Sequence, residues 1–139
     1  MVRSNCIDLI FLSNGNIGHR VVQVRAVFQL PKNTIPELFP MVDLDTVPTH
    51  LAYVEWFSPI PSTPDTNLQM YRVSRLVQNG HRQATIIPVH SISSSIHLFP
   101  RFGNHTGTPP GWNTYSVMEL CQSFYINPFS DRNTYLLFL

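Results

Sequence analysis

The residues best suited to binding chemistry are four arginines and a histidine within residues 66–118, a stretch that contains no acidic residue. Further rings are interleaved with them, at Tyr71, His97 and Phe102. Guanidinium groups neutralise phosphates, and flat rings stack on nucleobases. The pattern predicts a nucleic-acid-binding surface formed by Arg72, Arg75, Arg82, Arg101 and His81.

A purely structural role is the alternative for these arginines. In a regular strand, Arg72 and Arg75 point to opposite faces. Arginine stems also cover apolar neighbours while the charged end stays in water. The sequence pI of about 7.9 is below that of a strongly basic nucleic-acid binder.

A second hypothesis is a protein-interaction module, such as a reader of modified histone tails or an oligomerisation domain. Its candidate residues are Tyr53, Trp112, Asp43 and Asp45. Aromatic rings beside carboxylates can hold a methylated lysine or arginine through cation–π attraction. Strand alternation turns Trp56 away from Tyr53, which favours a core role for these rings. Trp112, in a Gly/Pro-rich loop, is the better candidate for an exposed ring.

A metal site or a catalytic site is the third possibility. Asp43, Asp45, His50 and Glu55 are ligand types that suit a hard cation, although a solvated acidic loop explains the same residues. The chain has no nucleophile elbow, no phosphate-binding glycine loop and no pair of histidines at metal-ligand spacing. We therefore predict a non-catalytic protein without a cofactor.

Charge is distributed unevenly along the chain although the net charge is only +1. Residues 37–65 hold five acidic residues and no Lys or Arg, directly before the basic stretch. Opposite charges on neighbouring strands would neutralise each other on one surface. Otherwise the molecule has an acidic face and a basic face.

The two cysteines, Cys6 and Cys121, have no metal-ligand spacing, and the N-terminal residues make a poor signal peptide. The sequence thus favours an intracellular protein, with the nucleus among the candidate locations, and no membrane partner.

Composition and periodicity predict a mainly β fold. With 12 prolines, and with only 12% charged residues, the chain of 139 residues is rich in loops and forms one domain. Strands are predicted at residues 19–30, 50–57, 68–76 and 83–89, and Asn79-Gly80 predicts a hairpin turn. One short helix at residues 114–122, a last strand at the C-terminus and a peripheral segment at residues 1–18 complete a small, antiparallel, partly open β-barrel.

Several segments in a fixed order resemble a known family: LAYVEWF, MYRVSR, IIPVHSISSSIHLFPRFG, a loop with a tryptophan, and FYINPFSDR. Over residues 19–139 the chain resembles the C-terminal domain of transposase-related proteins of mushroom-forming fungi, of the Plavaka and Kyakuja-Dileera-Zisupton type. The family's catalytic residues lie in a separate nuclease domain, so the resemblance implies no catalytic residue here. By strand order the domain is also similar to SH3-like and BAH-like barrels.

Overall fold

The computed structural model describes residues 7–11, 18–103, 107–129 and 132–138. The protein is mainly β, and its antiparallel sheets do not close, as predicted for a partly open barrel. Its elements are β1 (Ile7–Phe11), β2 (His19–Gln29), α1 (Ile35–Leu38), β3 (His50–Trp56), β4 (Tyr71–Ser74), β5 (Val77–Gln78), β6 (His81–Arg82), β7 (Ala84–Pro88), β8 (Ile92–Ser95), β9 (Leu98–Pro100), α2 (Val117–Leu120), β10 (Ser123–Ile126) and α3 (Arg132–Leu137).

The larger sheet has five strands in the order β7-β3-β2-β1-β8, so β3 is internal and β7 is an edge strand. Pro88 at the end of β7 agrees with this edge position, because proline cannot donate to a ladder. Only the short turn Val89–Ser91 joins the two edge strands. A flat five-stranded sheet would hold its edges about 19 Å apart, whereas four residue steps span at most about 14 Å. The sheet must therefore curl.

The inside of the curled sheet is a small apolar core. Val22, Val24, Ala52 and Val54 are buried there, with the side chains of Trp56, Ile87, Val89 and Ile92 packed against them. Val89 begins the connection between the two edges and Ile92 follows it, so the curl of the sheet closes this core. The Trp56 indole donates from Nε1 to Thr85 Oγ1 at 2.9 Å.

The smaller sheet, in the order β4-β10-β9, packs against Val21 on the other side of β2 and against Phe57, which follows β3. Among the residues that the structure describes, those buried in the shared core are Val21, Phe57, Val73, Ile96, Met118, Cys121, Phe124 and Ile126. The second face of β2 is only partly covered, as the strict alternation of residues 19–30 predicts. Residues 21–24 are buried on both faces, whereas beyond the bulge between Val24 and Ala26 the strand is half-buried or exposed.

The hairpin β5–β6 turns at the predicted Asn79-Gly80 pair. Both residues have positive φ, 51° and 77°, as a type I′ turn requires. The predicted helix at residues 114–122 is present but shorter, as α2. Its N-cap residue, Ser116, makes no side-chain capping hydrogen bond. In the turn before the helix, Asn113 Oδ1 accepts from the backbone N–H groups of Tyr115 and Ser116.

Both ends of the chain correct the sequence predictions. The last element is the helix α3, not a strand; a short apolar run does not distinguish the two by periodicity alone. At the other end, Ile7–Phe11 forms β1, as the apolar run CIDLIFL predicts. This part of the segment 1–18 is not peripheral, however, because β1 pairs with both β2 and β8. Cys6 lies outside the described residues. None of the helices in the described ranges is long and apolar enough to cross a membrane.

Candidate nucleic-acid interface

The structure separates the predicted arginines into two groups. Arg75 and Arg82 turn toward two glutamates, whereas Arg72 and Arg101 are exposed to solvent. The first group belongs to what we call the charge cluster: Arg25, Glu55, Arg75, Arg82 and Glu119.

Glu55 is central to the charge cluster because its carboxylate faces three guanidinium groups. Its Oε2 lies 3.1 Å from Arg82 Nη1 and 3.6 Å from Arg75 Nη1. Its Oε1 lies 3.9 Å from Arg25 Nε. Thus a glutamate of the acidic stretch neutralises arginines of the basic stretch, as expected if oppositely charged strands lie side by side.

Glu119, at the C-terminal end of α2, closes the charge cluster. Its Oε2 accepts from Arg82 Nη1 at 3.0 Å, and its backbone carbonyl accepts from Arg82 Nη2 at 2.9 Å. The other oxygen, Oε1, accepts from Arg25 Nη1 at 2.5 Å. This hydrogen bond is the largest cause of a lowered pKa for the Glu119 carboxyl.

Arg75 lies deepest in the charge cluster, with a side chain that is 1% exposed. Its guanidinium carbon sits 4.5 Å from the centre of the Phe57 ring and 6.0 Å from that of Phe124. Nη2 donates to the Met118 carbonyl at 2.5 Å. Burial, followed by the positive charge of Arg82, lowers the pKa of Arg75 to about 10, against the opposing effect of Glu55. A guanidinium held in this way cannot reach a phosphate, and Arg82 is engaged by two carboxylates.

Arg72 lies on the solvent side of the smaller sheet. In register across the three strands, Arg72 of β4 is next to Tyr125 of β10, which is next to Phe99 of β9. Their chain neighbours Val73, Phe124 and Ile126 are buried in the shared core. Since successive side chains in a strand point to opposite faces, the first three point outward.

A second row runs beside the first on this side of the sheet. Ser74 pairs with Ser123, and the Arg101 backbone N–H donates to the Ser123 carbonyl at 2.9 Å. We call the two rows the outer face: Arg72, Tyr125, Phe99, Ser74, Ser123 and Arg101. Adjacent side chains in such rows have Cβ atoms about 5 Å apart.

The outer face combines positive charge with accessible rings. None of its six residues is acidic, and both arginines are exposed. Phe99 is 41% exposed, while Tyr125 is half-buried. The His97 imidazole meets the Phe99 ring edge-on at a centroid distance of 5.0 Å. Chemically, this surface can pair with phosphates and stack on planar groups.

A groove adjoins the outer face at Arg101 and Ser123. It is open to solvent, has a volume of about 610 Å³, and is lined by Arg101, Phe102, Gly103, Pro109, Trp112, Leu120, Gln122 and Ser123. The rings of Phe102 and Trp112 lie 5.7 Å apart at an interplanar angle of 50°. Trp112 is half-buried against the shared core, so it is not the freely exposed loop ring that the sequence suggested.

The remaining predicted residues lie elsewhere. His81 is exposed on the β5–β6 hairpin, not on the outer face. Tyr53, 41% exposed, lies on the larger sheet. Asp43 and Asp45 are exposed, and Asp43 Oδ1 accepts from the Asp45 backbone N–H. In the part of the chain that the structure describes, no three His, Cys, Asp or Glu side chains are grouped as a metal site.

Tyr125 and Phe99 are the residues that sequence reasoning missed. The signal for Tyr125 was its position between the apolar residues Phe124 and Ile126, which indicates a strand with one side chain turned outward. Phe99 lies in a similar way between Leu98 and Pro100. Searches against family models, curated proteins and solved structures find no match for this chain.

Proposed function

We propose that this protein is a non-catalytic module that binds single-stranded nucleic acid through the outer face. The observation that carries the proposal is the cross-strand row Arg72, Tyr125 and Phe99, with Arg101 in the next row. Such a row places a cation beside two rings, so that a phosphate and the adjoining bases are contacted together.

Single strands are favoured over duplexes because stacking needs an exposed base face. In a duplex the base faces are covered by their neighbours, whereas bases of a single strand can be splayed onto protein rings. Each stacked base contributes about 1–3 kcal/mol, with little dependence on sequence. The resemblance to transposase-related proteins is in keeping with a nucleic-acid partner, and that relationship remains a prediction.

The electrostatic part of the binding is expected to be small. With two arginines contacting phosphates, the slope of log K against log salt for a single strand is about −1.4. The charge cluster contributes nothing to this slope, because its arginines are already neutralised by Glu55 and Glu119.

The test is fluorescence anisotropy of a labelled oligothymidine titrated with the protein between 50 and 200 mM salt. We expect saturable binding, weaker binding to a duplex of equal length, and a slope near −1.4. The double variant R72A/R101A is expected to bring the slope close to zero. K32A is the control, because it removes an exposed positive charge from the turn after β2, which is not part of the outer face. An absence of binding at 50 mM salt would overturn the proposal.

A second candidate function, protein binding, is supported by the uncovered part of the larger sheet. Beyond the β2 bulge, Tyr53 and its register neighbour Ile86 are 41% and 57% exposed. The acidic loop that contains Asp43 and Asp45 leads into the N-terminal end of β3, the strand that carries Tyr53. An apolar surface beside acidic residues suits a basic peptide or self-association. Light scattering of wild type and I86E across a concentration series tests self-association; identical monomer masses would exclude it.

A further inference from the structure

We infer that the groove beside the outer face is a subsite for one additional nucleobase of the bound strand. The inference rests on the proposed function and goes further, because it assigns a path: the strand runs over the outer face, passes Arg101, and places its next base against Trp112. The groove is continuous with the outer face. Arg101 and Ser123 belong both to the outer face and to the lining of the groove.

The shape and lining of the groove suit a flat, partly polar ligand. Its volume of about 610 Å³ is in the range of small-molecule sites. Trp112, Phe102 and Leu120 supply apolar walls, and the exposed Gln122 amide supplies a donor and an acceptor for the edge of a base.

The wall that carries Trp112 is fixed by local hydrogen bonds. The Trp112 backbone N–H donates to the Pro109 carbonyl at 3.2 Å. The Ser116 hydroxyl donates to the Gly111 carbonyl at 2.9 Å, and Gly111 has φ +83°, which glycine adopts without strain. Because these hydrogen bonds fix the wall before a ligand binds, little conformational freedom is lost on binding.

The charge of the groove fits an anionic strand. Among the described residues that line it, Arg101 is the only charged one. Glu119 precedes Leu120 in the chain, but its carboxylate is engaged by Arg25 and Arg82. A phosphate next to the bound base therefore meets one cation and no unpaired carboxylate of the lining.

The experiment uses Trp112 as an optical reporter. The chain has two tryptophans, so Trp112 is the sole tryptophan of the W56F variant. Its emission is recorded while oligothymidines of three to eight nucleotides are added, with anisotropy measured in parallel. We expect Trp112 emission to be quenched saturably, with the same midpoint as the anisotropy change.

The second arm needs no tryptophan variant. L120E puts a carboxylate on the wall of the groove without removing a core residue, since Leu120 is 48% exposed. We expect oligothymidine to bind it at least ten-fold more weakly. L38E is the matched control: Leu38 is 59% exposed and, like Leu120, is the last residue of a four-residue helix. Its affinity is expected to equal that of wild type.

The outcomes separate the two proposals. Binding with unchanged Trp112 emission and a wild-type affinity for L120E overturns the groove subsite and leaves the outer face as the interface. Absence of any oligonucleotide binding overturns both. Quenching of Trp112 by uncapped tri-leucine, but not by oligothymidine, also overturns the subsite and assigns the groove to a peptide.

Discussion

The charge cluster and the outer face use the same residue type for opposite purposes. Arg72 and Arg75 are three residues apart in one segment, yet Arg72 is exposed and Arg75 is buried. The cause is that successive side chains along a strand point to opposite faces. Residue 72 lies on the side that faces water, and residue 75 lies on the side that faces Phe57 and Phe124. A count of arginines therefore overestimates the surface available to a phosphate.

The two regions also differ in what surrounds the guanidinium groups. In the charge cluster, Glu55 and Glu119 are provided by β3 and α2, and they fix three arginines to the protein itself. On the outer face, the neighbours are rings and hydroxyls. Since only an unneutralised cation releases counterions when it meets a phosphate, binding should depend on the outer face and folding on the charge cluster.

The largest expected effect is on folding, from E55Q. Without the Glu55 carboxylate, Arg75 keeps its charge in a buried position, and the anion that faces its Nη1 is gone. Breaking a buried ion pair on one side costs about 3–5 kcal/mol, so we expect a loss of about 3 kcal/mol in the free energy of unfolding by urea. E37Q, at an exposed position on α1, should change it by less than about 0.5 kcal/mol. A cost for E55Q no larger than that of E37Q would mean that the Met118 carbonyl and the two rings suffice to hold Arg75.

The next effect is on binding, from F99A. Losing one stacking ring costs about 1–3 kcal/mol, or roughly 5- to 150-fold in the Kd for oligothymidine, with the salt slope unchanged. Y53A is the matched variant, since Phe99 and Tyr53 are both 41% exposed and both lie on strands. Equal affinities for F99A and wild type, or a loss confined to Y53A, would move the interface to the larger sheet.

A direct comparison of R72A with R82A sharpens the division further. R72A should reduce the salt slope by about 0.7 and leave the urea midpoint unchanged. R82A should leave the salt slope unchanged and lower the urea midpoint, because it removes partly exposed ion pairs and a hydrogen bond to the Glu119 carbonyl. We expect about 1 kcal/mol of destabilisation. If R82A altered the salt slope as much as R72A, the charge cluster would have to open when nucleic acid binds.

The smallest expected effect is a pH dependence carried by Glu119. Its pKa in the folded protein is lowered from 4.5, chiefly by the hydrogen bond from Arg25. The stabilisation is therefore complete above the unfolded value and is lost as the pH falls through the lower, folded value. Because the side chain is 48% exposed, we expect only a few tenths of a kcal/mol.

Urea midpoints of wild type and E119Q between pH 6 and pH 3 check this prediction. The difference between them should shrink as the pH falls. A difference that stays constant to pH 3 would mean that the Arg25–Glu119 pair adds no pH-dependent stability.

Local patterns predicted much of the fold. Alternation identified β2 and β3, and the Asn79-Gly80 pair identified the hairpin. The prediction of a strand for the short C-terminal apolar run was wrong, because a few apolar residues fit both the helical period and the strand period. How far the second face of β2 is covered could not be read from local patterns, since it depends on a sheet built from residues 71–126.

For the candidate site, the amino-acid types alone show which residues carry positive charge and which carry rings. They do not determine which of them share a surface. Arg72, Tyr125 and Phe99 are brought together by the pairing of β4, β10 and β9, strands that are far apart in the chain. Likewise, Arg75 and Arg82 meet Glu55 only because β3 is placed beside them. Charge is a property of a single residue, whereas its availability to a ligand is set by the neighbours that tertiary packing supplies.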